Sequence, residues 1–367
     1  MEQYTEYELG AICSRLSSGK GISARNITDE GEYPVYGGNG LRGYTGTCNF
    51  DGDCAIIGRQ GAFCGNVRYF NGQAYMTEHA VVCCANEEHN TRYLAYLLST
   101  MNLGRLSGQS AQPGLSVKTL SKQIVRMPSL EQQKKVVSVL SALDAKNASN
   151  EKINDNLQQQ LHLLFIQIFN GISDDVVLGD VVETTSGGTP SRKHTEYYEN
   201  SSICWVKSKE LLGNYILDTE EHINDMALSK SSAKLLPMHS VLIAMYGATV
   251  GAYGIISKSM TCNQAVCALL CNEKYPYTYL FQIAQEQQQK LINMAVGSAQ
   301  QNISQVLIKQ LPLHSDIAAI RKFHNLALPL HKQIEKLQAE NRTLSEMRDT
   351  LLPQLMSGKL DVSDIEL

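Results

Sequence analysis

Two kinds of hydrophobic pattern alternate along this chain. The first is a short run of consecutive apolar residues between glycines and polar turns. Asp53-Cys54-Ala55-Ile56-Ile57-Gly58 and Ala80-Val81-Val82-Cys83-Cys84 are such runs and predict strands buried on both faces. Tyr93-Leu94-Ala95-Tyr96-Leu97-Leu98 predicts a short helix, and Tyr36-Gly37-Gly38-Asn39-Gly40 a loop with several positions free to take positive φ. The same order returns later. Ser240-Val241-Leu242-Ile243-Ala244-Met245 matches the first strand, Gln264-Ala265-Val266-Cys267-Ala268-Leu269-Leu270 the second, and Tyr277-Thr278-Tyr279-Leu280-Phe281-Gln282-Ile283 the helix.

The second pattern is helical and follows each of these regions. Phe323, Ala327, Leu330, Ile334, Leu337, Asn341, Leu344, Arg348, Leu351 and Leu355 are spaced alternately by four and three, which is a heptad seam. The same spacing selects Val136, Leu140, Leu143, Asn147, Asn150, Asn154, Leu157, Leu161, Leu164 and Ile168, with a polar middle and a competing phase offered by Ile153. Such helices are better suited to pair with each other than to stand alone. Each stretch of about 40 residues would run about 50–60 Å at the helical rise. Pro329 lacks an N–H and predicts a break with a new helix starting near it. Gly171 and Gly358 sit at C-cap-like positions after Phe165-Ile166-Gln167-Ile168-Phe169-Asn170 and Leu352-Pro353-Gln354-Leu355-Met356-Ser357.

Motifs repeat along with the pattern. Ser110-Ala111-Gln112-Pro113-Gly114-Leu115-Ser116 returns as Ser298-Ala299-Gln300-Gln301-Asn302-Ile303-Ser304, and Gly61-Ala62-Phe63-Cys64-Gly65 as Gly247-Ala248-Thr249-Val250-Gly251. A module of about 185 residues repeated once is too wide for a solenoid. It predicts two equivalent globular domains, 1–128 and 176–315, alternating with helical regions at 129–175 and 316–367. The fold class expected is α+β: two pseudo-symmetric mixed α/β domains separated by long helices that pair as an antiparallel coiled coil. Such a chain is suited to touching two places at a fixed separation.

Composition narrows the function by exclusion. No apolar run reaches the roughly 18 residues needed to cross a bilayer, and the opening Met1-Glu2-Gln3-Tyr4-Thr5-Glu6 is no secretory signal, so a cytoplasmic protein is expected. The ten cysteines include no Cys-x-x-Cys pair. Cys83, Cys84 and Cys267 lie in strand-like runs, so reduced structural thiols and no metal are expected. There is no Walker loop, His-Glu-x-x-His or Gly-x-Ser-x-Gly, and no Asn/Asp-Pro-Pro-Tyr/Phe run of the amino-methyltransferase kind. Glu78-His79 and His194 make no convincing acid–base pair. No catalytic residue and no cofactor are therefore assigned. Charge is balanced in both domains, with 11 basic and 11 acidic side chains in 1–128 and 10 and 11 in 176–315, for a net charge of −4. A protein that held DNA by phosphates alone would carry a basic excess. Any attraction to nucleic acid must be local or shared with a partner.

Planar polar and basic side chains on glycine-rich loops are the remaining candidates. The first domain offers Asn39, Arg42, Tyr44, Arg59, Gln60, Gln109 and Gln112; the second offers Thr189, Arg192, Lys193, Lys207, Lys209, Tyr246, Gln264, Gln300 and Gln301. Arg reads guanine and Asn or Gln reads adenine by two-point hydrogen bonding, and Lys suits phosphates. The bland alternative for each is turn chemistry on an ordinary surface, and for the chain a two-domain coiled-coil scaffold that binds only proteins.

The chain resembles the specificity subunits of type I restriction–modification systems. Gly19-Lys20-Gly21-Ile22 followed by Tyr33-Pro34-Val35-Tyr36-Gly37-Gly38-Asn39-Gly40-Leu41-Arg42-Gly43-Tyr44 is similar to the opening of their target recognition domains. Pro128-Ser129-Leu130-Glu131-Gln132-Gln133-Lys134, running on to Leu140-Ser141-Ala142-Leu143-Asp144, looks like the start of their central conserved helix, and Leu351-Leu352-Pro353-Gln354-Leu355-Met356-Ser357-Gly358-Lys359-Leu360 like their C-terminal ending. Asp316-Ile317-Ala318-Ala319-Ile320-Arg321 departs from the Glu-Gln-Gln entry, and Pro329 stands where the first helix has Asp144. The resemblance implies a non-catalytic subunit whose two recognition domains each read half of a split target in double-stranded DNA. It implies that the helices set the spacer and dock two methyltransferase subunits, with restriction–translocation subunits joining. S-adenosylmethionine would then be bound by the methyltransferase partner.

Overall fold

The computed structural model describes residues 4–107, 114–296 and 302–362. The chain divides into two units, Met1–Asn147 with Thr343–Leu367, and Ala148–Arg342. In order, the elements are β1 (Thr5–Glu8), β2 (Cys13–Ser18), β3 (Tyr33–Gly37), β4 (Gly40–Thr45), β5 (Phe50–Gly58), β6 (Val67–Met76), β7 (Ala80–Ala85), α1 (Thr91–Thr100), α2 (Val117–Ser121), β8 (Ile124–Met127) and α3 (Leu130–Phe169). There follow β9 (Val176–Val177), α4 (Leu178–Val181), β10 (Glu183–Ser186), β11 (Ile203–Val206), β12 (Tyr215–Ile216), β13 (His222–Ile223), α5 (Asp225–Lys230), β14 (Val241–Ala244), β15 (Tyr253–Ile256), β16 (Thr261–Cys262), β17 (Val266–Leu270), α6 (Tyr277–Val296), α7 (Gln305–Lys309), β18 (Pro312–Leu313) and α8 (Ile317–Met356).

The first unit is built on a six-stranded sheet of order β2-β7-β5-β6-β3-β4, antiparallel except for β3 beside β6. Its central strand is apolar on both faces, as the uninterrupted run predicts. Ala55 and Ile57 pack into a core with Val81, Cys83, Tyr93, Leu94 and Leu98, while Cys54 and Ile56 pack on the other face with Met76, Ala80 and Val82. The second unit has a five-stranded sheet of order β10-β17-β14-β15-β12, with β12 parallel to β15 and the other pairs antiparallel. The shared order and directions make β2, β7, β5, β6 and β3 the counterparts of β10, β17, β14, β15 and β12. The small pair β1–β8 likewise matches β9–β18.

The match extends to caps and close approaches. Ser116 and Ser304 cap α2 and α7, accepting from the N–H groups of Thr119 and Leu307. Gly19 and Gly187 each lie so near a carbonyl that a Cβ would fall 2.1 Å from Met76 O and 1.9 Å from Cys262 O, respectively. Gly61 and Gly247 take φ of +74° and +70° at the start of twin 3-10 turns, so the glycine-rich stretch beginning at Gly247 is a tight turn.

Each unit takes part of both long helices. In the first, Val136 and Leu140 of α3 share a core with Leu355 and Met356 of α8, and Asn147 Nδ2 donates to Ser345 Oγ at 3.2 Å. Arg348 Nη1 reaches Asp144 Oδ1 at 3.4 Å, so numbers rise along one helix as they fall along the other: the pairing is antiparallel. In the second, Leu161, Phe165 and Phe169 of α3 pack with Phe323, Ala327 and Ile334 of α8, and Asn150 Nδ2 donates to Asn341 Oδ1 at 2.8 Å. The heptad phase holds: Asn150 and Asn154 are buried, whereas the competing Ile153 is exposed.

Two expectations are corrected. Pro329 does not break α8, which runs unbroken from Ile317 to Met356. Pro329 and Asn325, whose carbonyl loses its partner, are both exposed, so water can take that hydrogen bond, while buried Phe323, Ala327 and Ile334 hold the helix on either side. The stretch read as a loop at 36–40 is instead a tight hairpin: β3 pairs β4 around a two-residue turn, Gly38-Asn39.

Candidate nucleic-acid interface

In the first unit the loops at one end of the sheet converge on Arg59. The strand register puts Gly58 opposite Ala80, so the next residue, Arg59, donates its backbone N–H to His79 O at 3.1 Å. Its own carbonyl accepts from Leu115 N at 2.8 Å, and Gln60 bridges to Gly114. Gly38 closes against the same place, where a Cβ would meet His79 O at 2.7 Å and Arg59 N at 3.3 Å. Asn39, Arg59, Gln60 and the 77–79 turn are thereby brought together, with the Arg59 guanidinium donating from Nη1 to Ser18 Oγ at 3.4 Å. Arg42, exposed on β4, lies against Gly37, and Tyr44 exchanges both backbone hydrogen bonds with Thr28, further along the hairpin. Arg68 went unremarked in the sequence, yet its guanidinium lies 3.1 Å from where a Gly40 Cβ would stand.

The second unit repeats the backbone links of this scaffold. Met245 N donates to Ala265 O at 2.8 Å, Met245 O accepts from Ile303 N at 2.8 Å, and Tyr246 bridges to Asn302. Tyr246 therefore occupies the place of Gln60 and Gln264 that of Glu78. Both Tyr246 and Gln264 are exposed, and the Gln264 amide oxygen accepts from Thr189 Oγ1.

The other cations of the second unit sit on an inserted three-stranded sheet, β13-β11-β16, which the sequence did not reveal. Its centre is Trp205, 3% exposed, whose indole N–H donates to Gly188 O at 3.0 Å. The Arg192 guanidinium stacks over Tyr198 at 4.3 Å and near Trp205 at 5.4 Å, and Lys207 lies 5.7 Å from the Trp205 ring. Glu221 takes ion pairs from both Arg192 and Lys207, and the latter chiefly holds its carboxyl below the usual range. Lys209 pairs with Glu220 at 2.5 Å, and Lys193 is exposed. Three of the four predicted cations of this unit are thus paired in place, two of them sharing one carboxylate. Gln109, Gln112, Gln300 and Gln301 lie outside the described residues.

The two histidine readings resolve into surface pairs: His79 with Glu78 at 3.3 Å and His194 with Glu196 at 2.9 Å, all four side chains between 44% and 53% exposed. Among the described residues one group could offer three metal donors, Cys204, Asp218 and His222. Asp218 already accepts from the Cys204 thiol at 3.1 Å and His222 at 2.9 Å, takes Arg342 at 2.5 Å and has Lys258 at 3.9 Å. Partial burial works to raise its carboxyl, yet these hydrogen bonds, Arg342 first, carry it well below the ordinary value. A metal ion there would meet two positive side chains. Cys83 and Cys267 are buried thiols, and burial raises Cys267 to about 12, far from a reactive thiolate. Among the described residues no helix is long and apolar enough to cross a membrane.

Two sheets of one topology, each with part of both long helices, define a duplicated-domain protein. The sequence profile of the type I restriction modification DNA specificity domain matches residues 1–159 and again 173–314, and the chain belongs to that family. It is 40% identical over 150 residues to the specificity subunit of the type I restriction enzyme EcoprrI of Escherichia coli, an alignment covering 40% of this chain and 37% of that one. It is 25% identical over 315 residues to the MjaIX specificity subunit of Methanocaldococcus jannaschii, covering 75% and 70%. The fold is similar to that of the type I restriction–modification S subunit of M. genitalium, with a TM-score of 0.64 over 96% of both chains at 16% identity.

Proposed function

We propose that this chain is the DNA sequence-specificity subunit of a type I restriction–modification enzyme, non-catalytic and cytoplasmic. Each recognition domain reads one half of a bipartite target through the sheet-end loops around Arg59-Gln60 and Met245-Tyr246. The observation that carries the reading is the duplication itself: one loop scaffold, held by the same backbone hydrogen bonds, presents different side chains in each unit. A common frame with variable tips suits two independent readings of base edges.

In this reading α3 and α8 set the spacer and dock two methyltransferase subunits, which bind S-adenosylmethionine and transfer the methyl group; restriction–translocation subunits would join that assembly. The balanced charge fits a clamp that partners complete. Mobility-shift assays of the full chain with its methyltransferase partner test the proposal. Binding must prefer one split sequence, and exchanging residues 1–128 for those of another family member must change one half-site only. Binding indifferent to sequence, or a swap that changes both halves, overturns it. Four residues inserted between Asn147 and Asn156, about one helical turn, must alter the preferred gap between half-sites.

A further inference from the structure

We infer that Glu78 is a specificity-determining residue of the first domain, accepting a hydrogen bond from the exocyclic amino group of a base in its half-site. The inference rests on the reading above, that this end of the sheet faces DNA. It starts from an equivalence that only the structure supplies. The hydrogen bonds Arg59 N to His79 O and Met245 N to Ala265 O are counterparts, as are the bridges Gln60–Gly114 and Tyr246–Asn302. Counting one residue back from His79 and Ala265 sets Glu78 in register with Gln264. The sequence hides this, because Thr77-Glu78-His79 and Asn263-Gln264-Ala265 share no residue type at matching places.

The two side chains differ in what they leave open. The Gln264 amide oxygen is already taken by Thr189 Oγ1. Glu78 has only its neighbour His79, 3.3 Å from Oε1, while Oε2 is shielded from solvent and has no hydrogen-bond partner. The adjacent Thr77 Oγ1, on a residue with no exposure, is also unpartnered. A carboxylate oxygen deprived of both water and donor is unfavourable, and in native proteins such an atom calls for an explanation. Yet the Glu78 side chain as a whole is 44% exposed on a turn, free to swing outward. A carboxylate beside DNA is repelled by phosphates and can gain only from a donor on a base edge. In the major groove those donors are cytosine N4 and adenine N6, and Glu pairs with the former.

The test uses the full chain with its methyltransferase partner and a DNA panel in which every base pair of the target is varied. Glu78→Ala should lower discrimination about 5- to 150-fold at one base pair of the first half-site, the range of a single base contact. The second half-site should be unchanged. Glu78→Gln, which installs the amide found at Gln264, should move the preference at that same pair, and replacing its cytosine or adenine in turn identifies the base. Sequence-specific binding whose preferences are the same in both variants overturns the inference while leaving the proposed function standing. So does a uniform gain in affinity for every DNA, since Glu78 would then act only by repelling phosphates. A wild-type complex with no sequence preference instead overturns the proposed function, and this inference with it.

Discussion

The two units share a sheet but not the means of fastening the long helices to it. In the first unit the fastener is ionic. Asp144 of α3 accepts from Tyr96 and from Arg92 of α1 and pairs with Arg348 of α8, while Arg92 also stacks over Tyr69 at 4.9 Å. In the second it is aromatic and imidazole-based. Tyr215 Oη and His331 Nδ1 of α8 share a hydrogen bond at 3.0 Å, His239 stacks on Tyr277 at 4.2 Å, and Phe169 packs tilted against His314 at 4.3 Å. By the matched seams and helix ends, His331 and not Pro329 stands where the first helix has Asp144, so an imidazole takes the place of the carboxylate. One topology tolerates either chemistry as long as each buried polar group finds a partner or stays neutral. The two should fail under different stresses.

Core truncation gives the largest contrast. Phe169 and Met356 end their helices at matching places, each buried in its own core. Phe169→Ala should cost about 3–5 kcal/mol in the second unit. Met356→Ala should fall nearer 2 kcal/mol in the first, since thioether surroundings repack more readily. Trp205 is the one tryptophan of the chain, so its fluorescence during urea unfolding reports the second unit selectively. Equal shifts in that signal for the two variants would erase the distinction.

Acid sharpens it next. His331 is 1% exposed, and burial, aided by His239 and His324, lowers it to about 3. Burial also lowers His239, His314 and His324, whereas in the first unit His89 alone is lowered. Below the ordinary histidine value of about 6.5 the unfolded chain takes up protons that the folded unit refuses, so stability is full above that pH and falls as pH drops. Glu335, raised by burial, acts in the opposite sense and offsets part of the loss. From pH 7.5 to pH 5 the Trp205-monitored unfolding free energy should fall by about 2 kcal/mol. His331→Phe should flatten that dependence. A slope the variant leaves intact would place its origin elsewhere.

The ionic fastener should respond to charge removal. Asp144→Asn keeps the shape but weakens the hydrogen bonds from Arg92, Tyr96 and Arg348, and should destabilise the first unit by about 1–2 kcal/mol, discounted because all three charged side chains are 27–35% exposed. Amide exchange in β5 should quicken while the Trp205 signal stays put. A shift of both would contradict independent fastening.

How much of this was legible beforehand depended on whether the signal was local. The runs around Ile56, Val82, Leu242 and Ala268 gave strands because burial on both faces leaves an uninterrupted apolar stretch, and the heptads gave α3 and α8 because their period is in the sequence. Asn150 and Asn341 stood out as polar seam positions and proved to bond each other. Three-dimensional register, in contrast, is not local. Arg68 meets the hairpin at Gly40, far away in sequence, and Glu78 is matched to Gln264 only through backbone hydrogen bonds. The β13-β11-β16 insert was hidden for another reason: two of its three strands are two residues long, too short for any alternation to register. Pro329 misled because its cost depends on exposure, which a one-dimensional pattern does not hold.

The smallest expected effect concerns the insert, which has no counterpart among the described residues of the first unit. Arg192 and Lys207 are side chains of the type that contacts phosphates or base edges, but Glu221 already occupies both. If DNA displaces that carboxylate, the two cations lose one anion and gain another, and the net gain is slight. Glu221→Gln leaves the geometry but frees the charge. Non-specific affinity for duplex DNA should rise, and log K against log salt should steepen by up to about two, near 0.9 for each phosphate engaged. Discrimination should fall, because a pre-paired cation reaches DNA only where the exchange is repaid by fitting contacts, whereas a free one binds any phosphate. Fluorescence anisotropy over a salt series reads both quantities. A slope that does not change would mean that Arg192 and Lys207 never meet the backbone and that Glu221 serves only to seat them around Trp205.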